Sequence, residues 1–186
     1  MNVQNTINEY DVIIVGSGTC GATIARELSK QKKKVLILER GGNSRLSGSF
    51  FNLLSISNTV ALGEKLMALR ALTTGGSTAL YFAVADLPPF NAFAKLGIDL
   101  TTGFEQICKE LPLAELPDQL TPPQALRLRE GALQLGYSWE KKLMLIDQSK
   151  VTAGYSYHAK WKARNFVDEA LANGATLINH ATVDNI

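Results

Sequence analysis

The sequence contains little cysteine and little histidine. Each type occurs twice among 186 residues, as Cys20 and Cys108 and as His158 and His180. Two cysteines are too few for a disulfide scaffold or for a zinc site with four cysteine ligands. The four residues also lie at unrelated spacings, so the pattern predicts no metal site.

An excess of charge of one sign is also lacking. Lys and Arg number 19 and Asp and Glu number 17, which leaves a formal net charge of +2. A surface dedicated to nucleic acid usually produces a strong basic excess, so we expect no nucleic-acid partner.

Long hydrophobic runs are missing as well. The most apolar early run, Val12–Val15, has four residues, whereas a helix needs about 20 to cross a bilayer. Residues 1–10 are polar and show no basic start followed by an apolar stretch, so they do not resemble a signal peptide. We therefore expect no membrane partner and a cytoplasmic location, in keeping with two unpaired cysteines.

What the sequence does contain is a strand, a glycine-rich turn, a helix and a second strand within about 30 residues. Val12–Val15 predicts a buried strand, the amphipathic stretch 22–30 predicts a helix, and residues 35–38 predict a second buried strand. Two strands joined in this way are parallel by default. We therefore expect an α/β protein with a Rossmann-like FAD/NAD(P)-binding fold, in which helices flank a parallel sheet.

The turn between the first strand and the helix carries the pattern Gly-x-Gly-x-x-Gly, at Gly16, Gly18 and Gly21. The first glycine allows a tight turn, the second allows the backbone to approach a pyrophosphate, and the third allows close packing of helix and strand. The start of the helix adds free N–H donors and partial positive charge. The ADP half of a dinucleotide is therefore predicted to lie on the amides of Ser17, Gly18, Thr19, Cys20 and Gly21.

Glu39 ends the second strand, 18 residues after Gly21. A carboxylate at this position can accept hydrogen bonds from both hydroxyls of an adenosine ribose. Its negative charge disfavours the 2′-phosphate of NADP, so FAD and NAD are the favoured cofactors. Spacing alone does not choose between these two.

The residues around both strands resemble a known family. Residues 11–21, Asp-Val-Ile-Ile-Val-Gly-Ser-Gly-Thr-Cys-Gly, and residues 38–42, Leu-Glu-Arg-Gly-Gly, are similar to the FAD-binding start of the glucose-methanol-choline (GMC) oxidoreductases. That family has a second Gly-Gly-Ser-Ser/Thr turn folded over the flavin, and residues 75–78 match it. The resemblance implies FAD as the cofactor. It adds four residues to the predicted cofactor site: Gly76 and Ser77 at the pyrophosphate or the isoalloxazine, Val183 near the adenine, and Arg40.

The sequence departs from the family pattern at several positions. The family usually has Arg or Lys three residues before the glycine pair, where this chain has Leu72, and Asn or His four residues after the Ser position, where it has Tyr81. The catalytic His of the family and its His or Asn partner lie near the end of a much longer chain. His158 and His180 are outside that motif, so both are predicted to be structural and no catalytic residue is predicted. Residues 1–186 are expected to be an incomplete, N-terminal portion of an FAD-binding domain, without the substrate-binding and catalytic C-terminal part.

The resemblance implies a function for the full-length relative, namely oxidation of the CH–OH group of a small-molecule alcohol by hydride transfer to the flavin. Two alternatives stay open. One is an NAD-binding domain of a dehydrogenase, for which Glu39 is equally suited. The other is a non-catalytic remnant, or a subunit completed by a second polypeptide that supplies the C-terminal half.

Beyond residue 42 the local patterns are weaker. Residues 64–72 predict a short helix, and residues 102–105 have the spacing of a capping box that opens another. Thr121 is the expected N-cap of a further helix. A last helix over residues 163–173 is followed by strand-like residues 176–178 and 182–183. No internal repeat and no interdomain linker is visible.

Overall fold

The computed structural model describes residues 9–151 and 156–185. Its helices and strands, in chain order, are β1 (Val12–Val15), α1 (Thr19–Lys30), β2 (Val35–Leu38), α2 (Phe50–Ile56), β3 (Ser57–Leu62), β4 (Leu66–Ala71), β5 (Val84–Ala85), α3 (Phe90–Ala94), α4 (Thr101–Glu110), β6 (Leu113–Glu115), α5 (Pro123–Gln134), β7 (Leu143–Leu145), α6 (Arg164–Ala172) and β8 (Thr176–Ile178). Short 3₁₀ turns cover Gly76–Ala79, Asp118–Leu120 and Gln148–Lys150.

The chain forms two compact units. The first combines the residues up to Leu80 with those from Lys162 onward, and the second is Tyr81–Trp161. The sequence pattern shows no linker at either boundary. That residues 1–186 act together as one FAD-binding domain stays a prediction.

A parallel sheet is the centre of the first unit. Its strand order is β1-β2-β8, with Val12 opposite Val35 and Leu36 opposite Thr176. The middle strand, β2, is the most buried because it has a neighbour on each side. This β1–α1–β2 arrangement confirms the predicted α/β fold with a parallel sheet and flanking helices.

Helices α1 and α6 pack against each other beside this sheet. Small residues allow the approach, since Ala22 and Ala25 of α1 are fully buried. Arg26 joins the two helices: its Nε donates to Glu169 Oε2 at 2.6 Å, and its guanidinium lies 4.1 Å from the ring centroid of Phe166. Ile24 belongs to the amphipathic stretch that predicted α1, but it is half exposed.

An antiparallel hairpin replaces the helix predicted over residues 64–72. Strands β3 and β4 pair from Ser57 opposite Ala71 to Leu62 opposite Leu66. Gly63 has φ +71°, a left-handed conformation that suits the tight connection. The helix prediction was wrong here because cross-strand pairing outweighs the local helix propensity of a Leu- and Ala-rich segment.

Three further local expectations differ from the structure. Helix α4 begins at Thr101, whose N–H donates to Asp99 Oδ1 at 2.8 Å, so residue 102 lies inside the helix and does not cap it. Thr121 does not cap α5, since its hydroxyl donates to the carbonyl of Pro117. Residues 182–183 lie outside any strand.

The second unit is built on an antiparallel sheet with strand order β5-β7-β6. Its buried core contains Ala83, Ile146, Val151 and Ala159. Within the two described ranges, no helix is both long and apolar enough to cross a membrane.

An ion network lies on the surface of this second unit. Both carboxylate oxygens of Asp118 accept hydrogen bonds from Arg129 at 3.0 Å, and Lys141 Nζ donates to the same carboxylate at 2.6 Å. These two cations, Arg129 first, lower the pKa of Asp118 to about 2.

Candidate cofactor-binding site

The first glycine turn connects β1 to α1 in the conformation that its glycines require. Gly16 has φ +91°, which L side chains rarely adopt, and its N–H donates to the carbonyl of Leu38 at 2.8 Å. A Cβ at Gly21 would lie 2.0 Å from the carbonyl oxygen of Gly16. Gly21 therefore allows the helix to start directly against the turn, as its position in the motif predicts.

The start of α1 offers hydrogen-bond donors. Gly18 is the N-cap residue, and no side chain caps the helix. In the described parts of the chain no acceptor meets the N–H groups of Thr19, Cys20 or Gly21, which are the first three helical positions. A Cβ at Gly18 would find open space within 4 Å. These features together form an anion-binding helix start with room for close backbone approach.

Ser17 and Glu39 form a buried hydrogen-bonded pair behind this turn. The N–H of Ser17 donates to Glu39 Oε2 at 2.9 Å, and its hydroxyl donates to the same oxygen at 2.5 Å. The other carboxylate oxygen accepts the N–H of Gly41 at 2.7 Å. The prediction that the Ser17 amide faces a phosphate therefore differs from the structure, in which that amide holds the Glu39 carboxylate in place.

The second glycine turn meets the first at backbone distance. Gly75 and Gly76 have φ +89° and +59°, so both need the freedom of glycine. A Cβ at Gly76 would lie 3.0 Å from the Cα of Gly18. The N–H of Gly75 donates to the Ser17 hydroxyl at 3.1 Å. Residues far apart in sequence thus form one continuous backbone surface.

A cavity of about 380 Å³ in the first unit opens onto this surface. Its volume is within the range of small-molecule sites, about 300–1,000 Å³. Seven of the predicted cofactor-binding residues line it, namely Gly16, Gly18, Glu39, Arg40, Gly76, Ser77 and Val183. The other four do not: Ser17 is buried behind the wall, Gly21 packs on Gly16, and Thr19 and Cys20 are exposed at the helix start.

The structure adds wall residues that the sequence analysis missed. Arg70, Ala71 and Leu72 come from β4 and its end, and Ala181 and Thr182 from the segment after β8. The first three were missed because residues 64–72 had been predicted as a helix. The alternation of side chains in a strand could have indicated these residues. Arg70 and Leu72 are two residues apart, so in a strand they would share one face.

The charges of the cavity wall are mostly positive. Arg40 and Arg70 are its basic residues, and the one acidic residue, Glu39, already accepts three hydrogen bonds from the protein. In the described part of the chain this wall contains no histidine. His180 lies against Gly42, and His158 makes an edge contact with Tyr157 in the second unit. The arrangement is suited to binding an anionic nucleotide.

Comparison with known proteins gives one family match and two curated relatives of interest. Residues 11–186 match the model described as FAD dependent oxidoreductase. Sinalpyl alcohol oxidase Nec3 of Nesocodon mauritianus is 25% identical over 201 residues, which cover 96% of this chain and 35% of the oxidase. Pseudooxynicotine dehydrogenase of Pseudomonas sp. is 44% identical over 55 residues, which cover 30% of this chain and 11% of the dehydrogenase.

Solved structures share the fold. Pyridoxine 4-oxidase from Mesorbium loti superposes with a TM-score of 0.66 at 16% identity, over 92% of this chain and 42% of the oxidase. A formate oxidase variant from Aspergillus oryzae RIB40 gives a TM-score of 0.57 at 16% identity, over 92% of this chain and 38% of that protein. The chain therefore spans well under half the length of these relatives.

Proposed function

Because this chain belongs to the family of FAD-dependent oxidoreductases, we propose that its first unit binds the ADP half of FAD and forms the cofactor-binding part of an alcohol-oxidising enzyme. The prediction of FAD as the cofactor is confirmed by the family match. The resemblance to the GMC family is confirmed as well, since the alcohol oxidase, pyridoxine 4-oxidase and formate oxidase are GMC oxidoreductases. The NAD alternative is set aside.

The observation that carries the proposal is the meeting of both glycine turns at one cavity. Gly18 and Gly76 approach each other at backbone distance, and Glu39 lines the same cavity. A glycine-rich turn without a ligand would need no open space at Gly18, no unpaired N–H groups at the helix start and no carboxylate beside them. All three features suit a ligand that carries both a pyrophosphate and a ribose.

The residues of this chain would bind and orient the cofactor. The N–H groups of Thr19 and Cys20 would donate to a phosphate, while the Glu39 carboxylate, oriented by its three protein donors, would accept from a ribose hydroxyl. Its negative charge would repel the 2′-phosphate of NADP. Bound FAD would supply a hydride acceptor for an alcohol carbon.

The base that takes the alcohol proton is proposed to lie outside this chain. The described cavity wall holds no histidine, and its one carboxylate, Glu39, already accepts three hydrogen bonds from the protein. The alcohol-binding residues and the base would belong to the share of a full-length enzyme that this chain does not span, and that share would be the partner of the first unit, either as more of the same polypeptide or as a second one.

The open edge of the parallel sheet supports such a partner. β1 is an edge strand, and its Ile13 and Val15 side chains are 59% and 54% exposed. Parallel sheets are usually buried on both faces, and bare edges pair readily with another strand. We therefore propose that the partner pairs with β1.

Backbone amide exchange tests this pairing. The N–H groups of Ile13 and Val15 should exchange fast in the isolated chain and slowly in a complex with the C-terminal half of a GMC oxidase. Equal exchange in both states would contradict the proposed pairing.

A titration with FAD tests the cofactor site itself. We expect saturable quenching of flavin fluorescence and a rise in Tm, with about 2.7 kcal/mol of stabilisation when FAD is at 100 times its Kd. NADP⁺ is the matched comparison, since it keeps the ADP half but adds the 2′-phosphate that Glu39 repels. Absence of flavin from the purified protein, together with no response to added FAD, would contradict the proposal.

A further inference from the structure

We infer that Arg70 supplies the positive charge that binds the cofactor pyrophosphate, and that Asn58 is the residue that positions it. This inference rests on the proposed function and names residues that neither glycine motif includes. The resembled family usually has Arg or Lys at the position of Leu72, and in this chain a basic side chain, Arg70, lines the cavity two residues earlier.

Arg70 reaches the cavity from the same face as Leu72. The chain is extended at this point, and hairpin pairing continues one residue past β4, since the N–H of Leu72 donates to the carbonyl of Ile56 at 2.8 Å. Side chains two residues apart lie on one face of a strand. Both line the cavity together with Gly76 and Ser77 of the second glycine turn. Arg70 and Leu72 therefore reach the same cavity, and Arg70 is the one of the two that carries a positive charge.

Asn58 fixes the direction of the guanidinium. It is the direct cross-strand partner of Arg70 in the hairpin, and its Oδ1 accepts the Nε–H of Arg70 at 3.0 Å. This bond uses one of the five N–H donors of the guanidinium. Among the described residues, Asn58 is the acceptor that the Arg70 guanidinium meets, through its Nε–H. The planar guanidinium, whose geometry suits phosphate oxygens, is therefore held in place by Asn58 while its terminal N–H donors remain available.

Arg70 is better suited to this role than Arg40, the other basic residue of the wall. Arg70 is half-buried and held by Asn58, whereas Arg40 is exposed and makes no described side-chain hydrogen bond. A charge that is partly shielded from water acts more strongly on a nearby anion. A fixed side chain also loses less conformational freedom when the ligand binds.

Binding of ADP and of adenosine to the purified chain tests this role. Both probes carry the adenine and the ribose, and only ADP carries the pyrophosphate. The variants are Arg70→Gln, Asn58→Ala and the double change Arg70→Gln with Leu72→Arg. Arg45→Gln is the matched control, because Arg45 belongs to the same unit but is exposed and does not line the cavity.

Arg70→Gln should weaken ADP binding by about 10- to 100-fold, the usual effect of losing a charge-assisted hydrogen bond. Adenosine binding should change less than about twofold, and the salt dependence of ADP binding should fall. Asn58→Ala should weaken ADP binding by a smaller factor, because it releases the guanidinium without removing its charge. Leu72→Arg should restore much of the ADP affinity, which would show that charge on this face is the requirement.

The outcomes separate this inference from the proposed function. If the unaltered chain binds no FAD and no ADP, the proposed function fails. If it binds both and Arg70→Gln binds ADP as tightly as Arg45→Gln does, the role of Arg70 is refuted. An equal loss of ADP and adenosine affinity would also refute it, since that pattern indicates a disrupted hairpin. Failure of Leu72→Arg to restore ADP affinity would refute the requirement for charge on this face.

Discussion

Replacing Gly21 with alanine should destabilise the protein although it improves local helix propensity. Gly21 lies in the first turn of α1, where alanine is favoured over glycine by up to about 1 kcal/mol. Its Cβ, however, would lie 2.0 Å from the carbonyl oxygen of Gly16, whereas real Cβ contacts essentially never fall below 3.0 Å. The turn and the helix must therefore separate by about 1 Å, the difference between these two distances.

The magnitude follows from comparing the two effects. Overpacking of this kind costs about 1–3 kcal/mol, and here the clashing atom belongs to backbone that cannot rotate away. The upper part of that range, about 2–3 kcal/mol, therefore applies, and subtracting up to about 1 kcal/mol for helix propensity leaves a net loss of about 1–2 kcal/mol. In a chain of this length, each kcal/mol lowers the Tm by about 2–4 °C.

A matched substitution isolates the clash. Gly131 lies inside α5, and a Cβ there would meet nothing within 4 Å. Gly131→Ala should therefore raise the free energy of unfolding by about 0.5–1 kcal/mol. Gly18→Ala should change the stability of the cofactor-free chain by less than about 1 kcal/mol, yet it should weaken FAD binding because its methyl group fills the space at the helix start.

Urea unfolding of the three variants, each measured with and without FAD, is the assay. Gly21→Ala should lower the free energy of unfolding in both conditions, and Gly18→Ala should reduce only the increment that FAD adds. A Gly21→Ala variant as stable as the unaltered chain would show that the helix start is not packed on the turn as described, and would refute the reasoning.

Three further predictions concern single side chains. Glu39→Gln should lower the free energy of unfolding by about 1–3 kcal/mol even without FAD, because an amide nitrogen would face N–H and O–H donors. An unchanged urea midpoint would contradict this. Arg26→Ala should lower the free energy of unfolding by about 1–3 kcal/mol, since it removes the bond to Glu169 and the contact with Phe166. A loss below about 0.5 kcal/mol would show that α1 and α6 pack together without Arg26. The lowered pKa of Asp118, about 2 against its usual 3.8, means that its contribution is present above pH 3.8 and lost as the pH falls through 2. Asp118→Asn should therefore lower the Tm at pH 7 and lose that effect near pH 2, and an equal deficit at both pH values would contradict the assignment.

The sequence predicted residues 11–40 closely because local signals there agree with the tertiary structure. The β-branched run, the glycine pattern and the second apolar run each determine one element, and these elements follow one another directly along the chain. The predicted roles of Gly16 and Gly21 follow from backbone geometry alone. For the same reason the cavity could be placed at the end of β1 and β2.

The remaining parts of the site depend on contacts that no local pattern contains. Residues 66–72 have helix-forming composition, and their pairing with β3 makes them a strand. With the helix prediction, Arg70 could not be placed beside the second glycine turn. Ser17 fits the motif equally well with its amide free or bonded, and only the position of the Glu39 side chain settles which occurs.

The Ser17 hydroxyl also constrains the order in which the chain can assemble. It bonds residues 22 and 58 positions away, Glu39 and Gly75. The bond to Glu39 spans only the β1–α1–β2 unit, whereas the bond to Gly75 needs a loop of 58 residues, so the two glycine turns can meet only once residue 75 is present. During synthesis on the ribosome the first glycine turn is made early, whereas the second glycine turn, which faces it, begins only at residue 75. The third strand of the sheet, residues 176–178, is made later still. A chain that ended before the second glycine turn would therefore carry the first motif without the residues that form the opposite wall of the cavity.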